Sequence, residues 1–336
     1  MELRILDLNT WHGLYARSFH RAEKLEPDDL RERRTGAMLE GIRALDPHVV
    51  ALQECYPQPA FTERVAAELG YEQVSQVSNA GLRIFGAGYP LGIDTGEGSA
   101  ILARPGLKLR SLGRIALSGY GYTGRRVSLQ WVDKRMALAC AIEVEGKPLH
   151  VVTFHVRYDW ATFDMFEKAW AALLERTVVE GDAPERLVRS VQSNMLRRDR
   201  EIDALAAWVS KLQGGAPVVL VGDLNIDDDA PQLAAFAQRL EIASTLQLVK
   251  DTRPTWDPHN NPNIAPSASF THPDGTKKGL SDLVGAYHDQ LLQRPDHAFV
   301  SQSLAPSVLD ARVVLDQPVD GVFGSDHYGI LTTLRV

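Results

Sequence analysis

The sequence predicts a mixed α/β protein with two β-sheets and its helices on the outside. Two observations carry that expectation. Strand-like and helical stretches alternate along the chain, neither in strict βαβ order nor in separate blocks. With 336 residues, 44% of them hydrophobic and 24% charged, the chain also has the composition of a globular protein with a large core. No internal repeat or low-complexity linker breaks the pattern.

The elements follow in order. Leu3 to Leu8 reads as a buried strand, and Asp29 to Leu45 as an amphipathic helix that stops at Asp46-Pro47. His48 to Gln53 is a short apolar strand. Phe61 to Leu69 is helical and ends at Gly70, a residue suited to the left-handed conformation after a helix. The glycine-rich stretch from Gly81 to Gly98 reads as a loop. Ser99 to Ala103 and Met136 to Val144 are strands, and Glu145-Gly146-Lys147-Pro148 turns the latter back into Leu149 to Phe154. Trp160, Phe163, Phe166, Trp170 and Leu174 fall at helical spacing, as a core-packing stripe or as a lid or lipid-facing element. Leu187 to Leu212 is a long helix, and Pro217 to Val221 a wholly apolar strand. Thr252 to Gly279 carries Pro, Asn, Ser and Gly and reads as a long functional loop. Ala298 to Val300, Ala311 to Leu315 and Leu331 to Val336 are the closing strands.

The net charge of −7 disfavours tight nonspecific binding to a polyanion such as DNA. Lys and Arg are scattered, and the pairs Arg125-Arg126 and Arg197-Arg198 read as solvated faces. The two cysteines, Cys55 and Cys140, lie beside apolar strands and read as buried free thiols rather than a disulfide framework. Met1 to Ile5 enters a strand at once, and no run approaches the length of a membrane helix. The expected location is the cytoplasm, or outside the cell as a mature form whose leader has been removed.

Six fragments carry chemistry, each at the end of a strand or in a tight loop. Leu6-Asp7-Leu8-Asn9 ends in an amide able to contact a metal or a phosphate oxygen. Val49 to Glu54 ends in a carboxylate, a hard oxygen ligand suited to Mg²⁺. Val151 to His155 delivers an imidazole that could donate to a phosphoryl oxygen. Val218-Val219-Leu220-Val221-Gly222-Asp223-Leu224-Asn225 is apolar until its glycine, which would let the backbone approach a substrate. It then offers an acid for an attacking water and an amide for phosphate. Asp296 opens a strand and could orient the ring of His327. Ser325-Asp326-His327, flanked by Gly324 and Gly329, sets a carboxylate and an imidazole on one loop. His12 has no clear partner, and Asp227-Asp228-Asp229 reads as a helix cap. Taken singly, each fragment has an ordinary structural reading as a strand end, a turn or a buried histidine. Together they form a set of hard oxygen ligands and imidazoles suited to metal-assisted attack of water on phosphorus. The chain lacks Gly-x-Ser-x-Gly, a phosphate-binding glycine loop, His-Glu-x-x-His and Cys-x-x-Cys, which disfavours acyl, nucleotide and zinc chemistry.

This order resembles the endonuclease/exonuclease/phosphatase superfamily, the DNase I-like fold. The resemblance runs from Asn9 to His327 and is strongest at Gly222-Asp223-Leu224-Asn225 and Ser325-Asp326-His327. It implies a four-layer α/β sandwich, two mixed sheets face to face with helices outside, forming one catalytic domain over residues 1–336. That domain would carry a helical insertion around 157–185 and a long loop around 252–279. It also implies roles. Glu54 would be the main Mg²⁺ ligand, Mn²⁺ being a substitute, helped by Asn9 and Asp326. His327 would be the general base, oriented by Asp296. Asp223 would position or deprotonate the water, and Asn225, His155 and Asn9 would hold phosphate oxygens.

Leu8-Asn9-Thr10-Trp11-His12-Gly13, Leu117-Ser118-Gly119-Tyr120-Gly121-Tyr122 and His155-Val156-Arg157-Tyr158 are similar to segments of neutral sphingomyelinases and phospholipase C-like members. A phospholipid at a membrane or micelle surface is therefore the expected substrate, with DNA or RNA as the alternative. No hydrophobic membrane-binding hairpin is evident, nor an obligate protein partner. A small-molecule phosphatase and a non-catalytic binding protein are the remoter readings.

Overall fold

The computed structural model describes residues 1–16, 24–85, 87–89, 96–124, 126–158, 160, 163–174, 183–264 and 288–336. The first half of the chain forms β1 (Glu2–Asn9), β2 (Leu14–Ala16), β3 (Lys24–Leu25), α1 (Asp28–Leu45), β4 (Val49–Cys55), α2 (Ala60–Leu69), β5 (Glu72–Asn79), β6 (Leu82–Ile84), β7 (Ala87–Tyr89), β8 (Glu97–Ala103), β9 (Arg110–Ser118), β10 (Tyr122–Thr123), β11 (Ser128–Leu129), β12 (Arg135–Val144) and β13 (Lys147–His155). The second half forms α3 (Phe163–Leu174), α4 (Ala183–Gln213), β14 (Val218–Asp223), α5 (Pro231–Leu240), β15 (Ile242–Ser244), α6 (Thr245–Val249), β16 (Asp296–Ser301), β17 (Val308–Val314) and β18 (Gly329–Arg335).

Two six-stranded sheets dominate, in the orders β17-β18-β1-β4-β8-β5 and β15-β16-β14-β13-β12-β9. Both are mixed, because β1–β4 and β13–β14 pair parallel while the other neighbours pair antiparallel. Alternation along β1 explains the layering. Leu3 and Ile5 enter the core between the sheets, with Val49, Ile101, Cys140, Val151 and Val219. Leu6 and Leu8 face the other way, onto Met38, Leu39 and Ile42 of α1. On the far side, Val152, Phe154, Val218 and Leu220 pack under α4 and α5 through Leu205, Val209 and Phe236. The result is the expected four-layer sandwich. Cys55 and Cys140 are buried free thiols. No helix among the described residues is long and apolar enough to cross a membrane.

The turn after β12 takes its two-residue form because Glu145 and Gly146 both adopt positive φ (49° and 78°), which matches the strand twist. The strands of the two large sheets that sequence pattern misses, β5, β9 and β15, are all at sheet edges; half-exposed polar residues hide β5 and β9, and β15 is only three residues long. The stretch from Gly81 to Gly98 is not simply a loop. It supplies β6 and β7 to a small sheet of order β10-β11-β6-β7, its residues 86 and 90–95 lying outside the described ones. The acidic run at 227–229 does not cap α5, whose N-cap is Ala230. Asp227 instead accepts from the Arg294 backbone N–H (2.6 Å), and Asp228 pairs with the Arg294 guanidinium. Arg198 is not solvated. It is fully buried and donates to the Asn225 carbonyl oxygen (2.7 Å). The aromatic stripe faces protein rather than lipid, since Trp160 and Phe166 are buried against Val191 of α4.

Candidate active site

Strand register assembles the site at one rim. β1 and β4 run parallel and end together at Asn9 and Glu54. β13 and β14 run parallel and end with His155 opposite Asp223. β16 runs antiparallel and begins at Asp296, opposite Asp223. The loop carrying Asp326 and His327 comes just before β18, the partner of β1. All eight residues singled out in the sequence therefore lie at one end of the sandwich.

Below the rim, Gln53 ties the sheets together. Its Nε2 donates to Asp7 Oδ1 of β1 (2.8 Å) and to Thr153 Oγ1 of β13 (2.7 Å). Glu54 takes the left-handed backbone region (φ 52°), as do Trp11 and Asn225 (φ 53° and 52°). Such conformations concentrate where function needs a side chain re-aimed. Gly222, with φ 151°, serves packing rather than substrate approach, for a Cβ there would sit 2.2 Å from the Phe154 carbonyl oxygen. The glycines around Ser325-Asp326-His327 act likewise. Gly324 lies against Met38 of α1 and Gly329 against the Asp7 carbonyl, and neither has positive φ.

The side chains form two linked groups. In the first, His12 Nδ1 bonds Glu54 Oε2 and lies 3.7 Å from Glu97 Oε2. His155 Nε2 stands 3.5 Å from Glu54 Oε1 and 3.8 Å from Asp223 Oδ2. Arg135 Nη1 lies 3.0 Å from the same His155 nitrogen. In the second, Asp223, Asp296 and His327 bring one ligand-capable atom each within 4.8 Å of one another. Asn9 joins the two groups, donating from Nδ2 to Asp223 Oδ2 (3.2 Å) and Glu54 Oε1 (3.4 Å). Its Oδ1 accepts from Trp11 N–H (3.1 Å). In this orientation Asn9 is a donor to two carboxylates, not the oxygen ligand the sequence suggested. Asn225 also differs from expectation. Its carboxamide donates to the Val156 carbonyl (3.0 Å), and its backbone N–H to Asp223 Oδ1 (2.7 Å).

His327 Nδ1 meets Asp296 Oδ2 at 2.8 Å, and Thr255 Oγ1 donates to the same oxygen (2.6 Å). Trp256 packs its ring edge on His327, with centroids 5.0 Å apart. Asn261 donates to the Ser325 and Asp326 carbonyls (2.9 and 3.1 Å). The described part of the long loop, 252–264, thus braces the His327 loop. Its continuation to 279 lies outside the described residues. From the other side, Arg34 Nη1 donates to the Gly324 carbonyl (2.7 Å) while the guanidinium pairs with Glu26.

Burial and neighbours set the charges. Burial opposes a charge on His327, but Asp296 outweighs it and holds the imidazolium well above its ordinary range. Burial, then Asp296, pushes the Asp223 carboxyl up to about 8. Burial raises Asp326 to about 6 against the pull of His327. Burial and then Arg135 lower His155 to about 3, so that it stays a neutral hydrogen-bonding ring. Burial works against the Glu54 anion, yet His12, by charge and hydrogen bond, holds its carboxyl well below the usual value.

The donor set suits a hard divalent cation. Four carboxylates offer ligand oxygens, Glu54 and Glu97 in the first group and Asp223 and Asp296 in the second, and the buried Asp296 Oδ1 has no hydrogen-bond partner among the described residues. His12, left without a partner by the sequence, meets Glu54, while Glu97, Arg135 and Thr255 escape sequence reading, because none follows an apolar run that would mark it as a strand end.

A model of the Endonuclease/Exonuclease/phosphatase family matches residues 8–327. No curated protein matches the chain. Among solved structures, D. rerio TDP2 complexed with a single strand DNA product is similar at TM-score 0.56 and 16% identity, over 100% of this chain and 99% of that one. An endonuclease/exonuclease/phosphatase from Bacteroides vulgatus is similar at TM-score 0.58 and 14% identity, over 100% and 99%. The human Nocturnin catalytic domain with a bound sulfate anion is similar at TM-score 0.53 and 14% identity, over 99% and 94%. At these identities the likeness is one of fold.

Proposed function

The chain belongs to the endonuclease/exonuclease/phosphatase family, enzymes that hydrolyse phosphoester bonds with a divalent metal, and from that premise we propose that it cleaves a phospholipid phosphodiester in the manner of a sphingomyelinase. The observation that carries the chemistry is the convergence of Glu54, Asp223 and the Asp296–His327 pair at one rim.

Glu54 and Asp326 are the residues that would hold the cation, with Mg²⁺ the expected ion and Mn²⁺ a substitute. When bound, such a cation neutralises charge that develops on the phosphoryl oxygens. Asp296 fixes the His327 ring by taking Nδ1, which leaves Nε2 to exchange a proton with the attacking water. Asp223 sits between that pair and Asn9, where it positions the water. His155, neutral and backed by Arg135, donates to a phosphate oxygen, with Asn225 completing the pocket wall.

The acidic balance of the chain supports lipid over nucleic acid, and exposed aromatic residues near the rim supply a surface for it. The nucleic-acid reading draws on one specific likeness, that to the TDP2 structure holding a single strand DNA product. One preparation assayed on sphingomyelin, on plasmid DNA and on a soluble phosphodiester decides between them, each with Mg²⁺ and with EDTA. Sphingomyelin cleavage with little nicking supports the lipid reading. Efficient nicking with sphingomyelin left intact replaces it by the nuclease reading.

A further inference from the structure

The small sheet β10-β11-β6-β7 is built inside out. Cross-strand register puts Tyr122, Leu129 and Leu82 in one row, Tyr122 opposite Leu129 and Leu129 opposite Leu82. Ile84, two residues after Leu82, shares that face. The alternate row holds Thr123 opposite Ser128 and Ser128 opposite Arg83. An antiparallel sheet with one wet face normally turns its apolar row inward. Here the polar row is the inner one. Ser128 is fully buried, its hydroxyl bonded to the Gly124 carbonyl (3.0 Å), and Thr123 Oγ1 donates to the Val77 carbonyl (3.1 Å). Tyr122 is 68% exposed and Leu129 45%, with Ile84 also in solvent.

Flanking residues widen this face. Phe85, at the tip of the β6–β7 hairpin, is 89% exposed, while Tyr120 and Trp131 are 70% and 58% exposed, and Val127 is exposed as well. Most of the exposed large hydrophobic residues among those described belong to this one unit. A contiguous apolar patch of this kind marks a surface that meets something other than water.

We propose that the outward face of this sheet docks on a phospholipid interface and holds the catalytic rim against it. The inference rests on the phospholipid reading of the site. The make-up of the face selects lipid over nucleic acid, and its charge and its connection to the site fit that occupant. The face mixes aromatic rings with Leu129, Ile84 and Val127, and aliphatic side chains insert among acyl chains but cannot stack on bases. In a chain of net charge −7, the link from β10 to β11 carries Arg125 and Arg126 with no acid between Tyr122 and Leu129, and Arg126 is exposed, which complements anionic headgroups. The sheet is also joined to the site. Asn79, which ends β5, donates to Glu97 Oε1 (2.7 Å) and to Asp133 Oδ1 (2.9 Å), and receives Gln130 Nε2 on its own oxygen (2.6 Å). Glu97 is the carboxylate beside His12 and Glu54.

The test uses the full chain in EDTA, so that binding is read without turnover, on vesicles of phosphatidylcholine and sphingomyelin with and without phosphatidylserine. Wild-type protein should co-sediment with the vesicles, more strongly when phosphatidylserine is present. Phe85→Ser combined with Tyr122→Ser should lower vesicle affinity by about ten-fold per ring removed. With Mg²⁺ restored, the double variant should lose rate on vesicles yet keep its turnover of a soluble phosphodiester, which also reports an intact fold. Leu196→Ser, an exposed apolar residue on α4, should change neither reading. Vesicle binding by the double variant equal to wild type overturns the proposal. So does wild-type protein that ignores vesicles but binds single-stranded DNA, or dimerises, through this face. If vesicles bind through this face and none of their lipids is cleaved, the docking stands and the substrate reading falls. If sphingomyelin in vesicles is cleaved equally by both proteins, the substrate reading stands and the docking falls.

Discussion

His327 Nδ1 lies 2.8 Å from Asp296 Oδ2, in a pocket where both side chains are almost wholly buried and where Thr255 donates to the same carboxylate oxygen. Asp296 opens β16 and His327 lies in the loop before β18, yet the pairings of β1 with β18 and of β14 with β16 bring them to one rim. This pair fixes which ring nitrogen is left to meet water, and it raises the basicity of that ring.

Asp296→Asn should therefore lower kcat by about 10²–10⁴-fold with a smaller change in KM. The sign of the pH effect follows from the shift. His327 works as a base only when deprotonated, and Asp296 holds its pKa above the ordinary value. Removing that carboxylate lowers the pKa, so the rising limb of rate against pH should move to lower pH in the variant. A wild-type rate with an unmoved profile would transfer the role of base to Asp223.

Thr255→Val tests the brace behind the pair. The hydroxyl donates at 2.6 Å to a buried carboxylate, and a hydrogen bond to a charged group contributes about 1.5–3 kcal/mol. The variant should lose about ten-fold in kcat, a loss in keeping with that range. Steady-state kinetics with a thermal melt as control separates this from unfolding, and unchanged kcat would show that Asp296 keeps its place without the hydroxyl.

Gly222→Ala should destabilise the fold. Its Cβ would sit 2.2 Å from the Phe154 carbonyl oxygen, a backbone atom that cannot swing away, and φ is 151°. The expected loss is about 2–4 kcal/mol, read as a lower urea midpoint. A midpoint equal to wild type would mean that β13 and β14 separate at no cost.

The parts of this molecule that could be read from its sequence are those where an apolar run stops at a polar residue. Asn9, Glu54, His155 and Asp223 each follow such a run, and Asp296 precedes one. What was illegible has a common cause. Thr255, Glu97 and Arg135 reach the rim through loops and register, which leave no local periodicity. The amide direction of Asn9 depends on the Trp11 N–H that its oxygen accepts, a contact no spacing announces. The edge strands β5 and β9 are too polar to stand out, and the strands of the small sheet are only two or three residues long, too short for an alternation to show, so that Gly81 to Gly98 reads as a loop. The aromatic stripe from Trp160 to Trp170 was legible only as a choice, for its spacing suits a core as well as a lipid face, and the packing against α4 selects the core.

The central claim is that Glu54 anchors a divalent cation which the Asp223 and Asp296–His327 groups serve in phosphodiester hydrolysis. The most direct measurement is turnover of a soluble phosphodiester by wild-type protein and by Glu54→Gln across a Mg²⁺ titration, with EDTA as the zero point and isothermal calorimetry of Mg²⁺ binding alongside. Wild-type turnover should vanish in EDTA and return with Mg²⁺. The variant should keep its circular dichroism spectrum and thermal midpoint, bind Mg²⁺ far more weakly and lose turnover by about 10³-fold or more, since a bound cation supplies several kcal/mol of charge stabilisation. A Glu54→Gln protein that binds Mg²⁺ and turns over at the wild-type rate, or a wild-type rate indifferent to EDTA, would contradict the claim.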